Sequence, residues 1–174
     1  VKRQVSVRKS SDGVTWKDAL SYRYPDTKYI YADPKAIADD GGDSIYVAGQ
    51  VQSNAVETGN KTISRWEVLK SSDQGTTWTN VDDYLHPTDS ENAMSVTAMG
   101  TAGAGVVYVV GTSSTGRYGD QPLRRWLVRR TIDGGTSWTT ADDYYPEDGA
   151  FIPKSVYVDG NTFYVAGSRY LTSR

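Results

Sequence analysis

A short phrase of a hydroxyl residue, an aspartate, a glycine and a tryptophan recurs along the 174 residues of this chain. Two full copies occupy Ser71–Trp78 and Thr131–Trp138, and a copy that is one residue shorter occupies Ser10–Trp16. The three tryptophans lie 62 and 60 residues apart. A period of this length indicates repeated supersecondary units, so the architecture depends on what one unit can form.

Each unit contains four segments with the residue pattern of β-strands, here called a, b, c and d. Segments a are Ala36–Asp39, Met94–Met99 and Ser155–Val158, and segments b are Ser44–Gly49, Val106–Gly111 and Thr162–Gly167. Segments c are Gln4–Lys9, Arg65–Lys70 and Arg125–Arg130, and segments d are Thr15–Asp18, Thr77–Tyr84 and Ser137–Tyr144. Segment b is apolar on both faces, which favours a central strand, and segment d is polar, which favours an outer one. No window has a helical period, so the chain is predicted to be all-β.

The repeated phrase lies between segments c and d, where a hairpin turn is expected. Its aspartate and hydroxyl side chains can accept hydrogen bonds from backbone N–H groups within the turn. Its glycine supplies backbone freedom, and its tryptophan can cover the turn with a large apolar face. The phrase therefore predicts a turn that its own side chains hold together.

In this form the phrase resembles the Asp-box, or bacterial neuraminidase repeat, with the pattern Ser-x-Asp-x-Gly-x-Thr-Trp. The residues that match it, and that the resemblance makes structural, are Asp12, Trp16, Asp73, Gly75, Trp78, Asp133, Gly135 and Trp138. The first copy departs from the pattern because it lacks one residue before its tryptophan. The resemblance implies a β-propeller of four-stranded antiparallel blades, as in sialidases and many binding proteins.

The order of the segments, c-d, a-b-c-d, a-b-c-d, a-b, predicts one propeller or a portion of one. Residues 1–33 would form the outer half of a split blade, 34–92 and 93–152 two whole blades, and 153–174 the inner half of a split blade. Because propellers typically have about four to eight blades, this set is too small for a ring. Either the halves pair between chains, so that two chains make six blades, or a longer chain supplies the rest. An open fibre is a third outcome of the same head-to-tail contact.

Composition narrows the classes of partner. The net charge of −2 and the scattered Lys and Arg residues argue against nucleic acid, and no apolar run approaches the ~18 residues of a membrane helix. The absence of cysteine and a single histidine exclude a zinc site of the usual ligands, so no metal or cofactor is predicted. The acidic loops 39–43 and 89–92 could hold Ca²⁺ in principle, but turn formation is the better interpretation. A secreted or cell-envelope location is the expectation.

Catalysis is the weaker of two functional hypotheses. A sialidase needs an arginine cluster, a Tyr–Glu pair and an aspartate acid, and the nearest match to the family's Arg-Ile-Pro motif is Phe151-Ile152-Pro153, without the arginine. His86 is the one histidine, and it is interpreted as a surface loop residue. The prediction is a non-catalytic extracellular module that binds glycans or proteins, or builds a homo-oligomer. The alternative is a sialidase-like or other glycoside hydrolase, which would need two well-placed carboxylates.

The binding hypothesis depends on tyrosine-rich d–a and b–c loops, because aromatic faces beside charged groups suit sugar rings. Tyr22, Tyr84 and Tyr144 stand in register across the units and are interpreted as wedges between blades. The aligned pairs Asp82-Asp83 and Asp142-Asp143 are interpreted as turn residues at strand ends. The ligand-binding candidates are the residues that depart from the repeat, namely Tyr24, Tyr29, Arg124 and Tyr145.

Overall fold

A computed structural model describes residues 3–54, 62–87, 93–118, 121–145 and 149–171. These residues form twelve β-strands and no helix, which confirms the all-β prediction. The strands are β1 (Val5–Lys9), β2 (Lys17–Tyr22), β3 (Tyr29–Asp39), β4 (Ile45–Ser53), β5 (Ser64–Ser71), β6 (Thr79–Tyr84), β7 (Met94–Thr101), β8 (Val107–Tyr118), β9 (Gln121–Thr131), β10 (Thr139–Tyr144), β11 (Gly149–Asp159) and β12 (Thr162–Leu171). Every predicted segment overlaps one of them, in the predicted order, although Thr15–Asp18 shares only its last two residues with β2.

The strands pair into three sheets of neighbouring antiparallel strands. Sheet A contains β1 and β2, and sheet B contains β3, β4, β5 and β6 in chain order. Sheet C repeats the four-stranded meander with β7, β8, β9 and β10. The hairpin β11–β12 joins sheet C through one parallel bridge between Ala150 and Arg124. The most apolar segment, b, therefore becomes one of the two strands with a partner on each side in both meanders.

One irregularity recurs in every pairing of segments a and b. The first strand of each pair has a β-bulge, and the partner strand places a glycine opposite it. At Gly49, Gly111 and Gly167, an added Cβ would lie within 2.5 Å of a backbone oxygen of the bulged strand. These glycines are therefore required by the close approach of two backbones, which explains why each segment b ends in one.

The sheets stack face to face in chain order. Val5, Val47 and Leu69 belong to the apolar cluster of the first junction, between sheets A and B. The second junction, between sheets B and C, is larger, and its fully buried residues include Trp66 and Leu127. At the third junction the hairpin β11–β12 covers β7 and β8, and the ring of its Phe163 stacks on Tyr108 at 4.1 Å. Burying one flat side of a sheet against the next provides the main hydrophobic stabilisation.

Several strands extend further than the sequence indicated. β3 begins at Tyr29 and β11 at Gly149, so the predicted unit limits at 33/34 and 152/153 lie inside strands. The b–c connection of the third unit, predicted as a long loop, is a hairpin in which β8 and β9 pair out to Tyr118 and Gln121. That expectation of a loop was wrong because the pairing continues beyond the apolar run that defined the segment.

Candidate functional site

The three repeated turns have the predicted internal hydrogen bonds. In the second copy the Ser71 hydroxyl accepts a bond from Gly75 N at 2.8 Å, and the Asp73 carboxylate accepts bonds from the backbone N atoms of Thr76 and Thr77. The third copy repeats the arrangement around Asp133. These bonds lower the pKa of Asp73 to about 2, chiefly through Thr77, and that of Asp133 to about 2, chiefly through Ser137.

The shortened first copy forms the same kind of turn. Asp12 accepts hydrogen bonds from the backbone N atoms of Val14 and Thr15, and the Ser10 hydroxyl accepts one from Gly13. Because one residue is missing, the donors lie one position closer to Ser10 and Asp12 than in the full copies, but the same kinds of bond form. Trp16 of this copy is half exposed.

The repeated turns of the second and third copies also contact the preceding sheet. An added Cβ on Gly75 would lie 3.5 Å from Ala19 of β2, and one on Gly135 would lie 3.4 Å from Val81 of β6. A lysine of the preceding sheet donates to each of these turns: Lys9 to Gln74 O at 3.0 Å, and Lys70 to Gly134 O at 2.7 Å. The turns thus fix one sheet against the next, which is a structural role.

The first two junctions share an acid–arginine pair. Arg65 and Asp83 pair across β5 and β6, and Asp83 accepts a hydrogen bond from the Tyr24 hydroxyl of the preceding sheet. Burial, followed by the bond to Asp83, raises the pKa of Tyr24, so the hydroxyl stays protonated and can donate. The carboxylate of Asp83 is therefore a bridge between sheets.

In the second junction Arg125 and Asp143 form the matching pair, with bonds of 2.6 and 2.7 Å. His86 occupies the place of Tyr24, and its Nε2 lies 3.0 Å from Asp143 and 2.8 Å from Arg125. His86 is 5% exposed, so its interpretation as a surface loop residue was wrong. Counted from the preceding tryptophan, Tyr24 and His86 occupy the same repeat position with different residues.

The two junctions differ at another pair of matched positions. Leu20 and Leu69 both belong to the apolar cluster of the first junction. In the second, Asp82 and Arg129 take their places and form a buried two-bond ion pair, with distances of 2.7 and 2.9 Å. The Arg129 guanidinium also lies 3.9 Å from the centre of the Tyr84 ring. Asp82 is consequently an inter-sheet residue within β6, and the expectation of a simple turn residue was wrong.

The aligned tyrosines also contact the following element. The Tyr22 hydroxyl donates to Glu67 of sheet B at 2.7 Å, and Tyr84 packs in the second junction under Arg129. Tyr144 meets the edge of the Phe151 ring and stays half exposed. These placements agree with the interpretation of the three tyrosines as wedges between successive sheets.

A cleft of about 150 Å³ opens beside the first junction. Two of the candidate residues, Tyr24 and Tyr29, line it with ring centres 4.9 Å apart. Arg3 lies 5.5 Å over the Tyr31 ring, and Arg23 bonds Gln4 through Nε at 3.2 Å. Thr27, Ile30 and Ala32 complete the lining. The cleft therefore combines three aromatic rings with two exposed guanidinium groups.

The size of one residue explains why the cleft is open. Register across the a–b pairs places Ala32 of β3 where Met94 of β7 stands in the second junction. Met94 is buried there, and its sulfur lies 3.2 Å from the backbone N of His86. At the first junction the alanine leaves that volume unfilled beside Tyr24.

The other two candidates lie elsewhere. Tyr145 follows β10, where Arg125 lies 5.7 Å from its ring centre, and Arg124 is in β9 opposite Ala150 of β11. The four candidates therefore fall into two groups at different junctions. Sequence reasoning did not single out Arg3 or Ala32, although alignment of Ala32 with Met94 is a signal that the repeat already contained.

The acidic loop 39–43 serves a turn and a junction. Asp39 and Asp40 accept the backbone N–H groups of Gly41 and Gly42, and Asp40 also accepts from Tyr46 and Gly105. Residues 89–92 lie outside the described part of the chain. Within the described ranges, no cluster of three acidic or histidine side chains is arranged to hold a metal ion, and no helix has the length and apolar character to span a membrane.

Comparison with known proteins relates this chain to a solved structure. No protein-family model matches this sequence, and no curated protein matches it. A crystal structure of a protein of unknown function from Dyadobacter fermentans DSM 18053 is similar in fold, with a TM-score of 0.64 over 95% of this chain and 18% sequence identity. The chain spans about half the length of that protein, 51%. At this identity the relation concerns the fold alone.

Proposed function

We propose that this chain is a non-catalytic Asp-box β-propeller module, secreted or at the cell envelope, that binds glycans in the cleft beside its first junction. The sheets correspond to blades that stack around an axis, and the Asp-boxes join each to its predecessor. The observation that carries the binding proposal is the grouping of Tyr24, Tyr29 and Tyr31 with Arg3 and Arg23 around one cleft.

The chemistry of the lining favours an acidic sugar. Aromatic rings offer flat apolar faces on which a sugar ring can stack, while guanidinium groups bind carboxylate or sulfate through two parallel hydrogen bonds. Arg3 and Arg23 are exposed, so a ligand can reach them. The cleft volume of about 150 Å³ is below the ~300 Å³ at which pockets begin to enclose drug-sized molecules, which fits one sugar ring at a chain end.

A titration with a matched pair of sugars tests this proposal. Glucuronic acid and glucose differ in having a carboxylate or a hydroxymethyl group, and we expect glucuronic acid to shift the amide NMR signals around Tyr24 and Tyr29 more strongly. Replacement of both arginines, Arg3→Gln with Arg23→Gln, should weaken its binding about tenfold or more, because charge-assisted bonds are lost. Arg130→Gln, an exposed arginine on β9, is the control.

Three results would contradict the proposal. They are equal shifts with the two sugars, shifts that survive loss of both arginines, and signals around the cleft that do not move. In the last case a glycan array without binders, together with a defined protein partner, would replace glycan recognition by protein scaffolding.

A further inference from the structure

Sheet B leaves part of one apolar face uncovered. Ile37 of β3 is 59% exposed, although it points towards the preceding sheet. The matched residues are Met99 of β7 and Val156 of β11, and both are partly buried against the sheet before them. Ile37 is exposed because sheet A supplies only segments c and d, and these do not reach over segment a of sheet B.

The hairpin β11–β12 leaves its other face uncovered, the one directed away from sheet C. Tyr164 of β12 is 54% exposed, whereas Tyr46, the matched residue of β4, is fully buried against sheet C. Tyr157 points out beside it, with ring centres 6.3 Å apart. The following residue pair shows the same contrast, since Ala48 is fully buried and Ala166 is exposed. This is the face that each earlier unit buries against its successor.

A basic residue marks where the missing strand would lie. In sheet B, Lys70 donates to the next Asp-box and lies 5.6 Å from the ring centre of Tyr46 on the adjacent strand. Lys9 of β1 makes the matching bond to Gln74, but β1 pairs only with β2 among the described strands. An open cleft of about 540 Å³ adjoins Lys9, Asp12 and Gln74. The position thus has the lysine but not its tyrosine.

We infer that the β11–β12 hairpin of a second copy of this chain occupies this surface, with its β12 adding antiparallel to β1. The register follows from the two complete sheets, in which Tyr46 pairs with Lys70 and Tyr108 with Arg130. Transferred to the interface, Tyr164 pairs with Lys9, Val165 with Arg8, Ala166 with Val7 and Gly167 with Ser6. The tyrosines of the hairpin then cover Ile37 as an inner half-sheet covers its neighbour elsewhere.

A second copy of the chain is the occupant because this chain itself contains the element that the surface requires. It must be a two-stranded hairpin with a free edge, a tyrosine opposite Lys9 and a bulge backed by glycine, and β11–β12 has each of these features. Both surfaces exist on every copy, so two chains can exchange hairpins reciprocally about a two-fold axis. Backbone pairing at an open sheet edge gives affinity, and the alternate side chains give the register. This inference does not depend on what the cleft binds.

Disulfide cross-linking tests the register, and the chain has no cysteine of its own to interfere. In the inferred pairing Val7 and Ala166 lie directly opposite with Cβ atoms about 4.5–5.5 Å apart, a distance that a disulfide can bridge. The variant Val7→Cys with Ala166→Cys should therefore form a covalent dimer in air. The matched control is Ser6→Cys with Ala166→Cys, because neighbouring residues of a strand point to opposite faces.

Two outcomes overturn the inference. One is a cross-linked yield for the control equal to that of the test pair, which would indicate random collision. The other is a chain that stays monomeric in both cysteine variants. That result is expected if the surface is covered by another protein or by further residues of a longer chain.

A pair of isoleucines tests the covered face. Ile37→Asp places a charge where the tyrosines of the partner would pack, and we expect the dissociation constant of the dimer to rise at least ~30-fold. Ile132→Asp makes the same change at a similarly exposed residue, 63%, in the repeated turn where β9 connects to β10. It should leave the dimer intact. Equal effects of the two substitutions on dimer formation would contradict the assignment of this face.

Discussion

The first and second junctions are built from the same repeat positions, yet they are filled differently. The first has Leu20 and Leu69 in its apolar cluster, whereas the second pairs Asp82 with Arg129. Both retain the acid–arginine pairs, Asp83 with Arg65 and Asp143 with Arg125. The comparison shows which positions the stacking of sheets requires and which can change without loss of the fold.

The same comparison separates scaffold from site. The second junction is closed, because Met94 and His86 fill the end of the interface. The first junction is open at that end, because Ala32 is small and Tyr24 forms a wall of the cleft. In a repeat protein the departure of one copy from the others is therefore where a binding surface can arise at little cost to stability.

The largest expected effect comes from breaking the buried ion pair. Arg129→Leu would leave the Asp82 carboxylate without its partner in the second junction, and we expect it to reduce the free energy of unfolding by about 4 kcal/mol. The double variant Asp82→Leu with Arg129→Leu places two leucines at these positions, as in the first junction. It should recover most or all of the lost free energy of unfolding. Urea denaturation of the three proteins measures both changes. A double variant as unstable as the single one would show that the junctions are not interchangeable.

A second test exchanges the open and closed ends. Met94→Ala should create a cavity beside His86 and lower the free energy of unfolding by about 3 kcal/mol, as expected for loss of a buried methionine side chain. The reverse change, Ala32→Met, should fill the cleft and abolish binding of glucuronic acid, with a change in stability of about 1 kcal/mol or less. Denaturant titration and the NMR titration give the two readouts. Glucuronic acid binding that survives Ala32→Met would place the ligand elsewhere.

The smallest expected effect concerns one polar group of the first junction. Glu67 accepts bonds from Tyr22 and Asn80, and Leu127 takes its place in the second junction. Burial raises the pKa of Glu67. Above that pKa the buried carboxylate is ionised and lowers the free energy of unfolding. This loss disappears as the pH falls from the raised pKa to the ordinary one. Glu67→Gln should therefore stabilise the protein slightly at pH 7 and have no effect below the ordinary glutamate pKa of about 4.3.

The pH dependence of the Glu67→Gln effect shows whether the charge of the carboxylate causes it. The urea midpoints of the wild type and Glu67→Gln, measured between pH 4 and pH 7, should converge as the pH falls. A gain that is the same at every pH would come from packing and not from the charge.

The fold was largely predictable because each step of it is local. Apolar character marked segment b as the central strand, and the repeated phrase marked the c–d turn, so twelve strands and their order could be inferred. The ends of β8 and β9 could not, because pairing there continues through polar residues such as Ser114 and Arg124. Strand length depends on the partner strand as well as on the segment itself.

The side-chain pairs within the junctions were less predictable, because they join residues far apart in the chain. Asp82 and Arg129 are 47 residues apart, and His86 and Asp143 are 57 residues apart. One sequence contains no direct signal for such pairs. The repeat does contain an indirect one, since the exchange of Leu20 and Leu69 for Asp82 and Arg129 is a paired change between aligned copies. Aligning the units position by position would have indicated that contact, as it would have indicated the cleft at Ala32.

The mass of the unmodified chain in solution tests the account most directly. If each sheet must be covered on both sides by a neighbour, the uncovered faces at Ile37 and Tyr164 should come together between two copies. Light scattering at micromolar concentration should then give twice the chain mass of 19.1 kDa. A single species of 19.1 kDa, with Tyr164 still exposed, would contradict it.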